Sequence, residues 1–106
     1  MKEENIFSKI PASLPEELCE VLAAKKDLRI ERIVSRGHSS PDKGWYDQEQ
    51  DEFVILLSGR ARLRYKKDGN TIEMNTGDYL LIPAGLQHRV EWTDPEVDCV
   101  WLAVFY

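Results

Sequence analysis

The sequence predicts an all-β domain: a sandwich or barrel of seven or more short, mostly antiparallel strands, with one short helix before them. Two observations carry this. Apolar runs of strand length, too short for helices, recur from residue 28 to residue 106, and Gly, Pro, Asn and Asp fall between them. The stretch Gly77 to His88, GDYLLIPAGLQH, shows the grammar most clearly. Thr76-Gly77-Asp78 reads as a turn with a glycine able to take positive φ. Tyr79 to Ile82 read as a strand, which Pro83 ends because it has no N–H for the ladder. Ala84 and Gly85 turn the chain, and His88 opens a second strand running to Trp92.

The remaining elements follow in order. Residues 1–12 are mixed, with Ile6, Phe7 and Ile10 as anchors of a strap over the sheet. Ser13-Leu14-Pro15-Glu16 has the form of a helix start, with Ser as N-cap, Glu three residues on and Pro in the first turn. A helix is predicted from Pro15 to Ala24, with Leu18, Val21 and Leu22 on one face and basic Lys25 and Lys26 at its end. This sets residues 1–27 apart as strap and helix, and 28–106 as the barrel of a single domain. LRIERIVS, Leu28 to Ser35, reads as a strand, and RGHSSPDKG, Arg36 to Gly44, as a loop in which His38 is a solvated side chain. Phe53 to Leu57 is a continuous apolar strand. Ser58-Gly59 turns it into ARLRYKK, where Ala61, Leu63 and Tyr65 alternate with Arg62, Arg64 and Lys66. Lys67 to Asn70 is a hairpin turn, Thr71 to Asn75 a strand, TDPEVD a loop, and Cys99 to Tyr106 the last strand.

Composition excludes several classes. The net charge of −5 is wrong for nucleic acid and for an anionic membrane surface, both of which need clustered Lys and Arg. No apolar run approaches the roughly 20 residues of a membrane helix. MKEENIFSK is charged and lacks the apolar core of a signal peptide, so a cytoplasmic protein is expected. Cys19 and Cys99 are far apart and outside any Cys-x-x-Cys pair, hence ordinary thiols.

Read from chemistry alone, two residues stand out. A histidine set by a Pro-x-Gly corner at a strand start is well placed to point into a barrel mouth, and neutral imidazole is the commonest transition-metal ligand. Glu52 heads the apolar strand FVILL, where a carboxylate is costly to bury unless paired or metal-bound.

The spacing Gly77, five residues, Pro83-x-Gly85, two residues, His88 resembles the second sequence motif of the cupin superfamily. That motif normally closes with Asn, where this chain has Trp92. Glu52, six residues, Gly59 is similar to the end of the first cupin motif. The His-x-His that usually precedes it is replaced by Trp45 and Asp47. The resemblance spans residues 45 to 92 by motif and most of the chain by general wording. It implies a double-stranded β-helix, the jelly-roll barrel, with a metal inside held by His88 and Glu52. Asp47 is the third ligand in this register, and Gln48 takes that place if the gap is one residue shorter. One histidine with two carboxylates suits a divalent ion such as zinc, iron, manganese or nickel.

Other constellations are weaker. Arg60, Arg62 and Arg64 share a face that either lines the barrel and binds a carboxylate or phosphate, or simply meets water. Glu49, Gln50 and Asp51 read as a solvated acidic turn. Trp45, Tyr46, Trp92 and Trp101 are candidates to line a cavity. Two functions remain open: a metal-dependent enzyme (dioxygenase, isomerase or lyase) on a small organic molecule, and a non-catalytic small-ligand binding or sensing module. A homodimer is expected, since a barrel this small leaves sheet edges and one sheet face to cover. CVWLAVFY and the Ile6-Phe7 strap are the expected contributors.

Overall fold

Side chains alternate across a strand, so EFVILLS over Glu52–Ser58 buries Glu52, Val54 and Leu56 and leaves Phe53 and Ile55 half exposed. The same logic builds the rest. The computed structural model describes residues 1–41 and 43–106. Asp42, part of the loop predicted from Arg36 to Gly44, lies outside the described residues. The described residues form eight strands: β1 Leu18–Lys25, β2 Leu28–Ser35, β3 Glu52–Ser58, β4 Ala61–Tyr65, β5 Thr71–Met74, β6 Tyr79–Ile82, β7 His88–Thr93 and β8 Cys99–Phe105. They make a five-stranded sheet, β1-β2-β8-β3-β6, and a three-stranded sheet, β5-β4-β7. Every pairing within the two sheets is antiparallel. No described helix is long and apolar enough to cross a membrane.

The helix predicted over residues 15–24 does not form; most of that segment is β1. Leu18 pairs with Val34 and Lys25 with Leu28, with a bulge between Val21 and Ala23. The hairpin turns through Asp27 at φ 61°, a conformation Asp tolerates. Local propensity favours a helix in EELCEVLAAKK, but β2 offers a free row of backbone groups, and pairing satisfies them. As an edge strand β1 buries little: Val21 and Leu22 are exposed.

The two sheets close over Leu56, Ala61, Met74, Ile82, Trp101 and Ala103. The outer face of the five-stranded sheet is apolar as well. Tyr79 and Leu81 of β6 are 61% and 62% exposed, and they lie beside Ile55 and Phe53 of β3, then Leu102 and Val104 of β8. The N-terminal strap crosses the far end of this face. Arg32, only 5% exposed, donates from its guanidinium to the Ile6 and Ser8 carbonyls at 3.0 and 2.6 Å and pairs with Glu20. Ile6 and Ile10 are half-buried, whereas Phe7 stays exposed.

Register positions the site. One row across the five-stranded sheet reads Arg29, Phe105, Glu52, Ile82, on β2, β8, β3 and β6. All four side chains face the space between the sheets and line one cavity. A one-residue slip of any strand would turn its member of the row outward.

Candidate functional site

The cavity has a volume of about 220 Å³. Its body is apolar, with Ile33, Val54, Leu63, Val90 and Trp101 among the walls. Its polar groups come from five places: Glu17 from just before β1 and Cys19 within it, Arg29 and Glu31 from β2, Tyr46 from the loop, Glu52 from β3 and His88 from β7. Arg29 and Phe105 also border an open depression outside, where Gln48 and Gln50 sit.

Glu52 and His88 are the buried polar pair, 7% and 4% exposed. His88 Nδ1 lies 2.9 Å from the Leu86 carbonyl oxygen. A carbonyl only accepts, so Nδ1 carries the hydrogen and Nε2 is the atom turned toward Glu52 Oε1, 3.7 Å away. Burial pulls the imidazole pKa down, but the Glu52 carboxylate and the Leu86 carbonyl outweigh it, and the net shift is upward. The same Glu52 oxygen accepts a hydrogen bond from Gln48 Nε2 at 2.9 Å.

The loop that carries Tyr46 and Gln48 is tied to the chain around β7 through backbone groups. Ser40 N donates to Val90 O at 2.9 Å, Tyr46 N to His88 O at 2.7 Å and His88 N to Tyr46 O at 3.2 Å. Gly85 N donates to Gln48 O at 2.9 Å. Two side chains of the acidic turn are structural rather than merely solvated. Asp51 Oδ1 accepts from Ala84 N at 2.8 Å, and Gln50 Nε2 donates to Asp27 O at 3.0 Å.

The structure therefore brings together three of the four predicted site residues, Gln48, Glu52 and His88. Asp47 is exposed and absent from the cavity wall. The Tyr46 ring lies tilted 5.5 Å from that of His88, and Trp101 lines the cavity. Trp45 and Trp92 do not: Lys66 and Arg89 lie 5.9 and 5.8 Å from the Trp45 ring, and Arg62 lies 5.9 Å from Trp92. Arg60, Arg62 and Arg64 pair with Asp94, Glu73 and Glu91 on the outer side, so they do not line the barrel. His38 is a loop residue whose Nδ1 accepts from Arg36 N. Both cysteines are free thiols.

Sequence reasoning missed Glu17, Arg29 and Glu31. The alternation Arg29, Glu31, Ile33 was visible in LRIERIVS and marks one face of a strand; Glu17 was hidden by the helix signal. Arg29 is paired with Glu31 and lies 4.4 Å over the Phe105 ring. Glu17 accepts from Ser35 Oγ at 2.7 Å and from Cys19 Sγ at 3.7 Å.

A family profile described as "Cupin domain" matches residues 33–105. This chain belongs to the cupin family. No curated protein matches it. Among solved structures, a Ralstonia eutropha JMP134 protein provisionally named a mannose-6-phosphate isomerase is 43% identical, with a TM-score of 0.93 over 99% of this cupin and 97% of that chain. A Desulfitobacterium hafniense DCB-2 cupin superfamily protein is 21% identical, with a TM-score of 0.74 over 91% of this chain and 82% of its own. An RmlC-like cupin from Desulfovibrio desulfuricans is 17% identical, with a TM-score of 0.77 over 99% and 95%. The last two bear on fold alone.

The family implies a divalent metal at this place. The donors present are one imidazole nitrogen and one carboxylate, with the Gln48 amide already bonded to that carboxylate. Among the described residues no group of three or more His, Cys, Asp or Glu side chains is arranged to hold a metal ion. Catalytic zinc sites take three protein ligands. The donor set of this cupin does not fit a tightly held ion.

Proposed function

We propose that this cupin binds a small organic molecule in its cavity, with Glu52 and His88 as the polar contacts and without a resident metal ion. The observation that carries the reading is a carboxylate and an imidazole, both more than nine-tenths buried, meeting at 3.7 Å in the wall of an otherwise apolar cavity of about 220 Å³. Concave apolar pockets with a few convergent polar groups are the usual form of ligand sites. The reading favours the binding or sensing module over the metal-dependent enzyme. It also sits apart from the sugar-phosphate isomerase name of the Ralstonia protein. A phosphate dianion calls for bidentate cationic partners, and Arg29, the guanidinium in this wall among the described residues, is committed to Glu31.

The test is a nuclear magnetic resonance titration with a neutral probe, 2-phenylethanol, with and without a chelator. Resonances of Val54, Leu63, Val90 and Trp101 should move, and the chelator should change nothing. Shifts confined to the outer surface, or none across a wider set of neutral alcohols and phenols, would sink the cavity reading. Elemental analysis of protein purified without added metal should return well under one equivalent of zinc, iron, manganese or nickel. A full equivalent that His88→Ala removes would restore the metal reading, with Gln48 as the remaining donor.

A further inference from the structure

We infer that the cavity selects cations, and that its ligand class is a small organic amine with a single-ring or short aliphatic body. This rests on the small-molecule reading above and adds the charge of the ligand to it.

Charge balance in the wall is the first argument. Three carboxylates line the cavity, Glu17, Glu31 and Glu52, against two basic groups, Arg29 and His88. Arg29 and Glu31 satisfy each other. Even with His88 protonated against Glu52, the Glu17 carboxylate is left over, and with His88 neutral two carboxylates are. Glu17's hydrogen-bond donors, the Ser35 hydroxyl and the Cys19 thiol, are uncharged, so they solvate its charge without cancelling it.

The neighbouring Cys19 thiol is pushed up to about 11, first by burial and then by Glu17 and Glu31, in keeping with that surplus of negative charge.

The third argument concerns an unused acceptor. Glu52 is 7% exposed, and its Oε2 has no hydrogen-bond partner among the described residues, while Oε1 has the Gln48 amide and faces His88. Oε2 is open to the cavity, so water reaches it, and a ligand N–H can take that water's place. The aromatic walls add to the preference, because ring faces attract cations, as the stacking of Arg29 on Phe105 shows. Tyr46 and Trp101 offer further rings. The volume corresponds to about seven waters of liquid, so the ligand is one ring with a short arm rather than a nucleotide or a disaccharide.

A matched trio tests this: 2-phenylethylamine, 2-phenylethanol and phenylacetate, of nearly equal size and differing in charge, titrated at pH 8 with the amine protonated. The amine should bind at least tenfold more tightly than the alcohol, and the carboxylate more weakly than the alcohol. Glu17→Gln should narrow the amine-to-alcohol ratio several-fold, and Glu52→Gln should do the same if that variant folds. Added salt should narrow it in the wild type. If the alcohol binds and the amine is not preferred, the charge inference fails while the cavity reading stands. Equal or tighter binding of phenylacetate also overturns it. If none of the three perturbs the cavity resonances, the small-molecule reading falls and this inference falls with it.

Discussion

Gly59 and Gly77 form a controlled pair. Their φ angles are +90° and +93°, so alanine at either position meets the same backbone penalty, about 1–2 kcal/mol. Their surroundings differ. A Cβ on Gly77 has nothing within 4 Å. A Cβ on Gly59 would lie 2.6 Å from Cys99 Sγ and 3.0 Å from Cys99 Cα, well inside the 3.5–4.0 Å optimum for carbon atoms. Cys99 cannot retreat easily: it is fully buried in β8, and its thiol donates to the Arg60 carbonyl at 3.3 Å. Overpacking of this kind costs about 1–3 kcal/mol more. Gly77→Ala should therefore lose about 1–2 kcal/mol and Gly59→Ala about 2–5. At about 4 °C per kcal/mol these are drops of roughly 4–8 °C and 8–20 °C in Tm. Urea melts with unchanged slope give the free energies directly. Adding Cys99→Ala to Gly59→Ala should recover part of the loss, because the clash with the sulfur goes while the crowding against the β8 backbone stays. Equal losses at the two glycines would refute the close approach of β8 to the Ser58–Gly59 turn.

Other measurements bear on the site and the surface. In a proton titration by nuclear magnetic resonance, His88 should titrate above 6.5, and Glu52→Gln should bring it below, since burial then acts without the carboxylate. A raised folded-state pKa gives stability that is complete below 6.5 and lost as pH climbs through the folded value. Wild-type urea midpoints should fall over that window, whereas those of Glu52→Gln should rise below it, as pH climbs toward 6.5; parallel profiles would remove Glu52 as the cause. A second copy is expected to cover the outer face around Tyr79 and Leu81, so light scattering at micromolar concentration should give dimer mass for the wild type and monomer mass for Leu81→Glu. Wild-type monomer alone would count against this. Arg32→Ala should destabilise by about 1–3 kcal/mol, because the Ile6 and Ser8 carbonyls lose a charged donor; an unchanged melt would show that the strap is held otherwise.

The strands were legible wherever alternation and turn chemistry spoke together. Leu28 to Ser35 and Tyr79 to Ile82 end where the sequence says they should. β1 was not legible, because Ser13, Pro15 and the Leu, Glu and Ala residues after them all argue for a helix, while the free edge of β2 that recruits the segment is a long-range fact. The same error hid Glu17 and Cys19 from the cavity wall. Glu52 and His88 were readable because strand starts and a Pro-x-Gly corner fix their direction locally. Asp47 was placed by counting from Glu52, and counting cannot say which side of an irregular loop a side chain takes.

The attachment of the Ser40–Gln48 segment has an evolutionary consequence. Main-chain atoms of Ser40, Tyr46 and Gln48 make the bonds to Val90, His88 and Gly85. Backbone groups are common to almost every residue type, so substitutions at positions 45 and 47 leave the anchorage in place. Ser40 and Gln48 add side-chain bonds to Val90 and Glu52, but the side chains at 45 and 47 take no part in the anchorage. Trp45 and Asp47 can therefore stand where the cupin resemblance expects two histidines without loss of the loop's attachment. The barrel remains, and with it a cavity whose chemistry is open to revision.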